Sequence, residues 1–348
     1  MSEVVYGRLS RRLLPQMREF CRVNWGGEHP LIHDEKMFDF YYKEGILLNF
    51  VVAYTPETDA EVDFLRADKI KLKPIEIQGV CGFIKTNSGE HPDVFISYIL
   101  TKKGTQFGFA LKMIEKVQSL TGARTLSCNN IRKKTRGIYD FLNYTVDDMT
   151  HWYRLNDGIE NYTLCDIPFP HHEQVRSAEI EAVEVTSPLQ LNDFPFSDFS
   201  EDLPYKDEGY VTKRYLTYPW HPYLLFRLSD VGRSALIVLR EIEWENSRML
   251  RIVDFIGDRS LIKDCGNFID ELLKIRKAEF ADWYSFGVTD ADMSHAGFSI
   301  RYSDDKNILP MYFSPLLMSN VEITIFTNSQ DGFMMFRADG DQDRPNLG

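Results

Sequence analysis

The stretch KKGTQFGFALKMIEKV, residues 102–117, decides how this chain is read. An apolar run rich in β-formers, DVFISYILT at 93–101, leads into it. Two glycines lie within the loop, and then Ala110, Leu111, Ile114, Val117 and Leu120 recur on one helical face until Gly122. The pattern is a strand, a glycine-bearing loop, and a helix ended by glycine. At such a junction the first helical N–H groups lack intrahelical partners and the helix dipole adds partial positive charge. The turn can therefore hold a phosphate where small residues let one approach. Gly104 and Gly108 give that clearance, and Lys102 and Lys103 add charge. Glycines also sit at strand-to-helix turns for conformational reasons alone, so the loop by itself leaves both readings open.

Working outward, ILLNFVVAY (46–54) and IQGVCGFIKT (77–86) read as neighbouring strands, and the polar residues 55–74 between them as a long connection. After the helix come ARTLSCN (123–129) as a strand, KKTRGIYDFLN (133–143) as a short helix and DDMTHWYRL (147–155) as a last strand. Residues 156–176 carry two prolines, two adjacent histidines and little periodicity. A second cycle begins with AEIEAVEVTS (178–187) and an aromatic-rich region to 219. It continues with strands at 223–229, 234–244 and 249–257, a helix at 261–278, a strand at 280–288, a short helix near 291–298, and a last strand pair around 299–303 and 321–327. Both halves share the order three strands, helix, strand, short helix, strand. This predicts an α/β (α+β) chain of two similar domains, 1–156 and 177–348, joined by a linker at 157–176, each a mixed, mostly antiparallel sheet flanked by helices.

The 348 residues are about twice an ordinary domain, and a hydrophobic fraction of 43% with 26% charged residues describes a globular chain. The net charge of −12, without a basic block, argues against nucleic acid as a partner. The longest apolar runs are too short to insert in a membrane, and the N-terminus lacks the pattern of a secretion signal, so the expected location is cytoplasmic. Five scattered cysteines without a C-x-x-C pair predict reduced thiols, neither a disulfide framework nor a metal site.

In order along the chain, the first half resembles the GCN5-related N-acetyltransferase (GNAT) superfamily, whose pyrophosphate loop reads Arg/Gln-x-x-Gly-x-Gly/Ala between strand and helix. Lys103, Gly104, Thr105, Gln106, Phe107 and Gly108 fall on that pattern, with Lys103 in place of Arg or Gln and Gln106 in place of the middle glycine. The family's Tyr-x-x-x-Gly-Phe helix matches IYDFLNY at 138–144: Tyr139 takes the place of the tyrosine that protonates the departing CoA thiolate, and Asn143-Tyr144 replace Gly-Phe. The resemblance also places Asn129 and Asn130 toward the pantetheine arm. It implies acetyl-CoA, or another acyl-CoA, as cofactor and an amine as acceptor.

Thioester aminolysis further requires a group that receives the proton of the amine. His91 and Asp93 near the active strand are candidates, as are His29, His33 and Asp34 in the early segment that would form the acceptor lip. The second copy differs at the corresponding positions. Gly257 is followed by Asp258, which repels a pyrophosphate, and Met293 stands in the tyrosine position before Gly297-Phe298. This predicts a copy degenerate for CoA chemistry. It also carries a cluster of Arg214, Tyr215, Tyr218, Trp220, His221 and Tyr223, suited to stacking on a sugar or base and contacting phosphate, and the ending DGDQDRPN with Asp339, Asp341, Asp343 and Arg344. An ordered, self-paired terminal loop is expected rather than a solvated tail. The tandem layout resembles bacterial GNAT-like proteins associated with surface-polysaccharide biosynthesis, which implies a nucleotide-linked amino sugar as acceptor. Arg214, Tyr215, His221, Asp339, Asp341 and Arg344 would then bind it, with a homodimer an open alternative. Two other readings stand beside this one: aminoacyl transfer from tRNA, which the net charge disfavours, and a non-catalytic pair of domains that binds a saccharide or scaffolds a pathway.

Overall fold

A computed structural model describes residues 4–56, 75–106, 108–304 and 306–345. Most of the connection expected at 55–74, and Phe107 of the loop, lie outside the described residues. By packing, residues up to Cys128 form one compact unit and those from Asn129 onward a second. The strands make two eight-stranded mixed sheets flanked by helices.

The first unit contains β1 (Val5–Ser10), α1 (Leu14–Trp25), α2 (Pro30–His33), α3 (Glu35–Tyr42), β2 (Lys43–Glu44), β3 (Leu47–Pro56), β4 (Ile75–Lys85), β5 (Asp93–Thr101), α4 (Phe109–Thr121) and β6 (Thr125–Cys128). Strands β1, β3, β4 and β5 pair antiparallel in that order, and β6 joins β5 in parallel. The β3–β5 core is aromatic. Phe50 is fully buried, with its ring 5.7 Å from Phe38 and 4.6 Å from Tyr42 on α3. The parallel pairing matches Asp93, Val94 and Phe95 with Thr125, Leu126 and Ser127, so β5 continues from Ile96 to Thr101 beyond its last partner on β6.

The second unit contains α5 (Arg136–Phe141), β7 (Thr145–Asp148), β8 (Thr150–Leu155), β9 (Glu181–Glu184), α6 (Glu208–Val211), β10 (Leu224–Asp230), β11 (Arg233–Trp244), β12 (Ser247–Gly257), α7 (Gly266–Arg276), β13 (Phe280–Phe286), α8 (Asp290–His295), β14 (Ser299–Arg301), β15 (Thr324–Thr327) and β16 (Met335–Phe336). One sheet lies wholly inside it, in the order β14-β8-β13-β12-β11-β10-β9, with β16 added to β13. Its core gathers Trp283, Phe298, Ile252, Leu239, Ile269 and Phe336, all at most 2% exposed. Strand β12 pairs in parallel with β13 over Leu250, Ile252 and their intervening residue, the same short parallel match seen in the first unit.

Several expectations are corrected here. The strand expected at 147–155 is two strands. β7 pairs with β15, whereas β8 lies between β13 and β14 with all residues from His151 to Leu155 buried. The last strand pair is likewise no pair, since β14 joins β8 and β15 joins β7. An interior strand covered on both faces shows no alternation that would reveal its partners. The helix expected at 261–278 is a 3-10 turn, Arg259–Asp264, followed by α7. The irregular residues 156–176 contain neither helix nor strand and lie inside the second unit.

Candidate functional site

In the first unit the glycine loop sits as its sequence implies. Gly104 has φ +85° and Gly108 +81°, left-handed values that cost an L-residue strain, and Gly108 occupies the N-cap of α4 without any side-chain cap. A Cβ at either glycine would meet no atom within 4 Å, so the approach to the first turn of α4 is open. The Thr105 N–H donates to Lys102 O at 3.2 Å and the Phe109 N–H to Gln106 O at 3.1 Å, which closes the turn. Lys103 and Gln106 are exposed, while Lys102 is ion-paired with Glu76. Lys103 therefore remains the exposed cation of the loop, and Gln106 projects a side chain beside the helix start.

The acid–base candidates of this unit are placed in different surroundings. Asp93 is fully buried. Its Oδ2 accepts from Arg124 Nη2 at 2.6 Å and its Oδ1 from Thr125 Oγ1 at 2.7 Å, a brace across the β5–β6 pairing rather than a carboxylate presented to solvent. His91 is exposed and its Nδ1 lies 3.0 Å from Gly122 O, at the end of α4. Asp34 caps α3, accepting the Met37 N–H at 2.6 Å. His29 and His33 bracket α2, and the His29 ring lies 5.0 Å from Trp25 and 5.3 Å from Tyr98.

The second unit holds the remaining candidates. Tyr139, 8% exposed on α5, stacks its ring on Phe326 at 4.1 Å and 23°. The amides expected to face a pantetheine arm are directed elsewhere. The Asn129 Nδ2 donates to Phe336 O at 3.1 Å and Asp339 O at 3.3 Å, and the Asn130 Nδ2 to Gln342 Oε1 at 3.4 Å. Both hold the C-terminal segment.

That segment is the main finding sequence reasoning missed. Beyond their three paired residues β12 and β13 part, and residues 335–338 enter the gap. Met335 and Phe336 pair antiparallel with Phe286 and Ser285 of β13, and the Ala338 N–H donates to Val253 O of β12 at 2.9 Å. The cluster read as a sugar site binds this segment. Arg214, 3% exposed, donates to Gln342 O at 2.6 Å and Ala338 O at 3.3 Å, and its guanidinium lies 4.8 Å from the Tyr218 ring. Tyr215 donates its hydroxyl to Asp254. His221 Nε2 is 3.5 Å from Asp343 Oδ2, and burial lowers its pKa. Arg344 Nε pairs with Asp341 Oδ2 at 3.0 Å, so the self-paired terminal loop is real, with Asp339, Asp341 and Asp343 all buried. The turns of this segment offer backbone carbonyls, and an arginine fork with aromatic walls satisfies those as well as it would a sugar phosphate.

Lys206 carries no sequence signal, yet it anchors the arrangement. Only 4% exposed, its Nζ lies 2.5 Å from Asp254 Oδ1 and 2.7 Å from Asp339 Oδ1. Burial opposes its charge, but the two carboxylates more than offset that and raise its pKa. Burial and the nearby Asp254 push Asp339 up to about 6 against the pull of Lys206. Asp343 moves the other way. Burial would raise it, but His221, Arg240 and Arg337 outweigh burial and hold it well below the usual carboxylate range.

The turn after β12 completes the contrast. Asp258 caps the following 3-10 turn, its Oδ1 accepting the Ser260 N–H at 2.9 Å, so a carboxylate of the chain takes the place an anion would occupy. A Cβ on Gly257, φ +104°, would lie 2.7 Å from Ser234 O, so this glycine serves close packing. Met293 on α8 is fully buried, and the Gly297 carbonyl accepts from Arg154 Nη1 at 2.8 Å.

Neither a protein-family model nor a curated relative matches the sequence. Solved structures do match the fold. A GCN5-related N-acetyltransferase from Anabaena variabilis ATCC 29413 superposes with a TM-score of 0.53 at 11% identity, covering 93% of this chain and 72% of that one. A conserved protein of unknown function from Enterococcus faecalis V583 gives 0.49 at 10% identity over 94% and 72%. A GCN5-related N-acetyltransferase from Sphaerobacter thermophilus gives 0.39 at 12% identity over 93% and 95%. The fold expected from the glycine loop is the fold found: a mixed α/β chain of two tandem GNAT-like domains.

Proposed function

We propose that the chain is an N-acyltransferase that uses acyl-CoA, acetyl-CoA by preference, and acylates the amine of a nucleotide-linked amino sugar for surface polysaccharide. The observation that carries this reading is the open, glycine-lined start of α4, with Lys103 exposed beside it, in one unit only. Lys103 and the amides of the first helical turn beyond Phe109, whose N–H is held by Gln106 O, fit a pyrophosphate, and among the described residues no side chain caps the start of α4. Bound acyl-CoA would supply the thioester carbonyl and the thiolate leaving group. The chain's part is to fix the phosphates at Lys103–Gly108, to receive the proton of the amine, and through Tyr139 to return a proton to the departing sulfur. His29 is the side chain retained as proton acceptor, since Asp93 is committed to Arg124 and His91 lies at the Gly122 end of α4, away from the loop.

Calorimetry and thermal shift of the full chain with acetyl-CoA test this. One site per chain with stabilisation that grows with ligand concentration is expected. Absence of both heat and stabilisation at millimolar ligand sinks the proposal. One observation favours a second reading: the exposed Gln106 side chain stands where the loop would turn its backbone to the phosphates. A non-catalytic saccharide-binding protein would bind sugar and show no response to CoA.

A further inference from the structure

We propose that Trp25, His29 and Tyr98 of the first unit form an aromatic platform that receives the pyranose ring of the acceptor; it rests on the amino-sugar reading above. Helix α1 ends at Gly26, whose φ of +88° terminates it, and this leaves the Trp25 indole at the open end of the helix, 43% exposed. Of the five tryptophans it is the one left exposed. Its ring centroid lies 5.0 Å from His29 at 81° and 5.6 Å from Tyr98 at 35°, and His29 and Tyr98 are 5.3 Å apart at 60°. Three mutually inclined rings form a cupped wall rather than a flat stack. Tyr98 is buried and backed by Phe50 at 6.4 Å, so it forms the base of the wall, and Trp25 supplies the exposed ring.

The position matters as much as the shape. Tyr98 lies on the part of β5 that extends past the last β6 partner and feeds the glycine loop, so the platform flanks the strand that leads to the proposed donor site. An aromatic face is negative at its centre, so it attracts the polarised C–H groups of a pyranose and, more strongly, the ammonium of an unacylated amino sugar. Glu28, exposed beside His29, adds a carboxylate suited to that ammonium. The neutral amide product keeps the C–H contact and loses the cation contact, so the platform favours substrate over product.

The test is saturation-transfer NMR with D-glucosamine on the full chain, on Trp25→Ala and on Trp25→Phe, with acetyl-CoA calorimetry on the same samples. Ring-proton saturation in the wild type, about tenfold weaker binding in Trp25→Ala and near-complete retention in Trp25→Phe are expected, with acetyl-CoA binding equal in all three. Glucosamine bound equally by wild type and Trp25→Ala overturns the platform, as does a wild type that gives no glucosamine signal. A wild type that binds no acetyl-CoA, with the glucosamine result intact, would defeat the donor reading and leave the platform standing.

Discussion

Each unit builds a parallel strand pair that matches over three residues and then parts, β5 with β6 and β12 with β13, but the two units use the region beyond the split in opposite ways. In the first, the strand runs into a turn with two left-handed glycines and an uncapped helix start. In the second, the turn is capped by Asp258, and residues 335–338 lie between the strands. The same architecture is thus left open or closed, depending on whether the chain supplies its own carboxylate and its own terminal segment. A similar fold in both units does not imply a ligand site in both.

The contrast can be broken from the closed side first. Lys206→Met leaves Asp254 and Asp339 buried together without their cation, and the second unit should lose about 3–5 kcal/mol. Urea unfolding with hydrogen exchange resolved onto β12 and β13 reads this, and a loss below about 1 kcal/mol would mean that Lys206 is no anchor.

The next largest effect concerns the two turns. Gly108→Asp gives the first unit the second unit's carboxylate, and acetyl-CoA affinity should fall about 100-fold, roughly 2.7 kcal/mol. Gly108→Ala separates backbone strain from charge and should fall less. Asp258→Gly, by contrast, should create no second site, because the tail still fills the gap; calorimetric stoichiometry above one per chain would refute the plug.

Tyr139→Phe keeps the stack on Phe326 and removes only the hydroxyl, so kcat should drop about 10- to 100-fold while acetyl-CoA binding is unchanged. Unaltered turnover would remove Tyr139 from the proton path.

The smallest effect is the pH dependence of the closed side. Asp339, raised from 3.8 to about 6, holds a proton in the folded state that the unfolded chain has released. Its contribution is therefore complete below the unfolded value and is lost as pH rises through about 6. Asp343, held low, contributes above the ordinary carboxylate range and loses that contribution on acidification. Asp339→Asn should flatten the stability profile between those two limits, and an unchanged slope would show that another group titrates there.

Much of this contrast is legible along the chain. The loop at 102–108, the aliphatic face of α4 and its Gly122 end are readable because a helix and its caps are local, set by neighbours a few residues apart. The degenerate second turn is readable for the same reason, since Gly257-Asp258 declares its cap in two letters. The aromatic–arginine cluster at 214–223 and the acidic ending both stand out in the sequence, but their use does not: each reads as a site awaiting a ligand, and each is the other's partner. Trp25 and Tyr98, 73 residues apart in numbering, give no joint signal at all.

What the sequence by itself determined is the strand, glycine-bearing turn and helix at 93–122 and the absence of an equivalent turn in the second half, because periodicity, caps and turn residues act over one or two helical turns. Only the tertiary structure decided which strands are neighbours, that β8 belongs with β13, that Lys206 lies between Asp254 and Asp339, and that Asn129 holds the tail. Those contacts join residues tens to hundreds of positions apart, and their energies come from burial and charge pairing, which no local pattern of residues encodes.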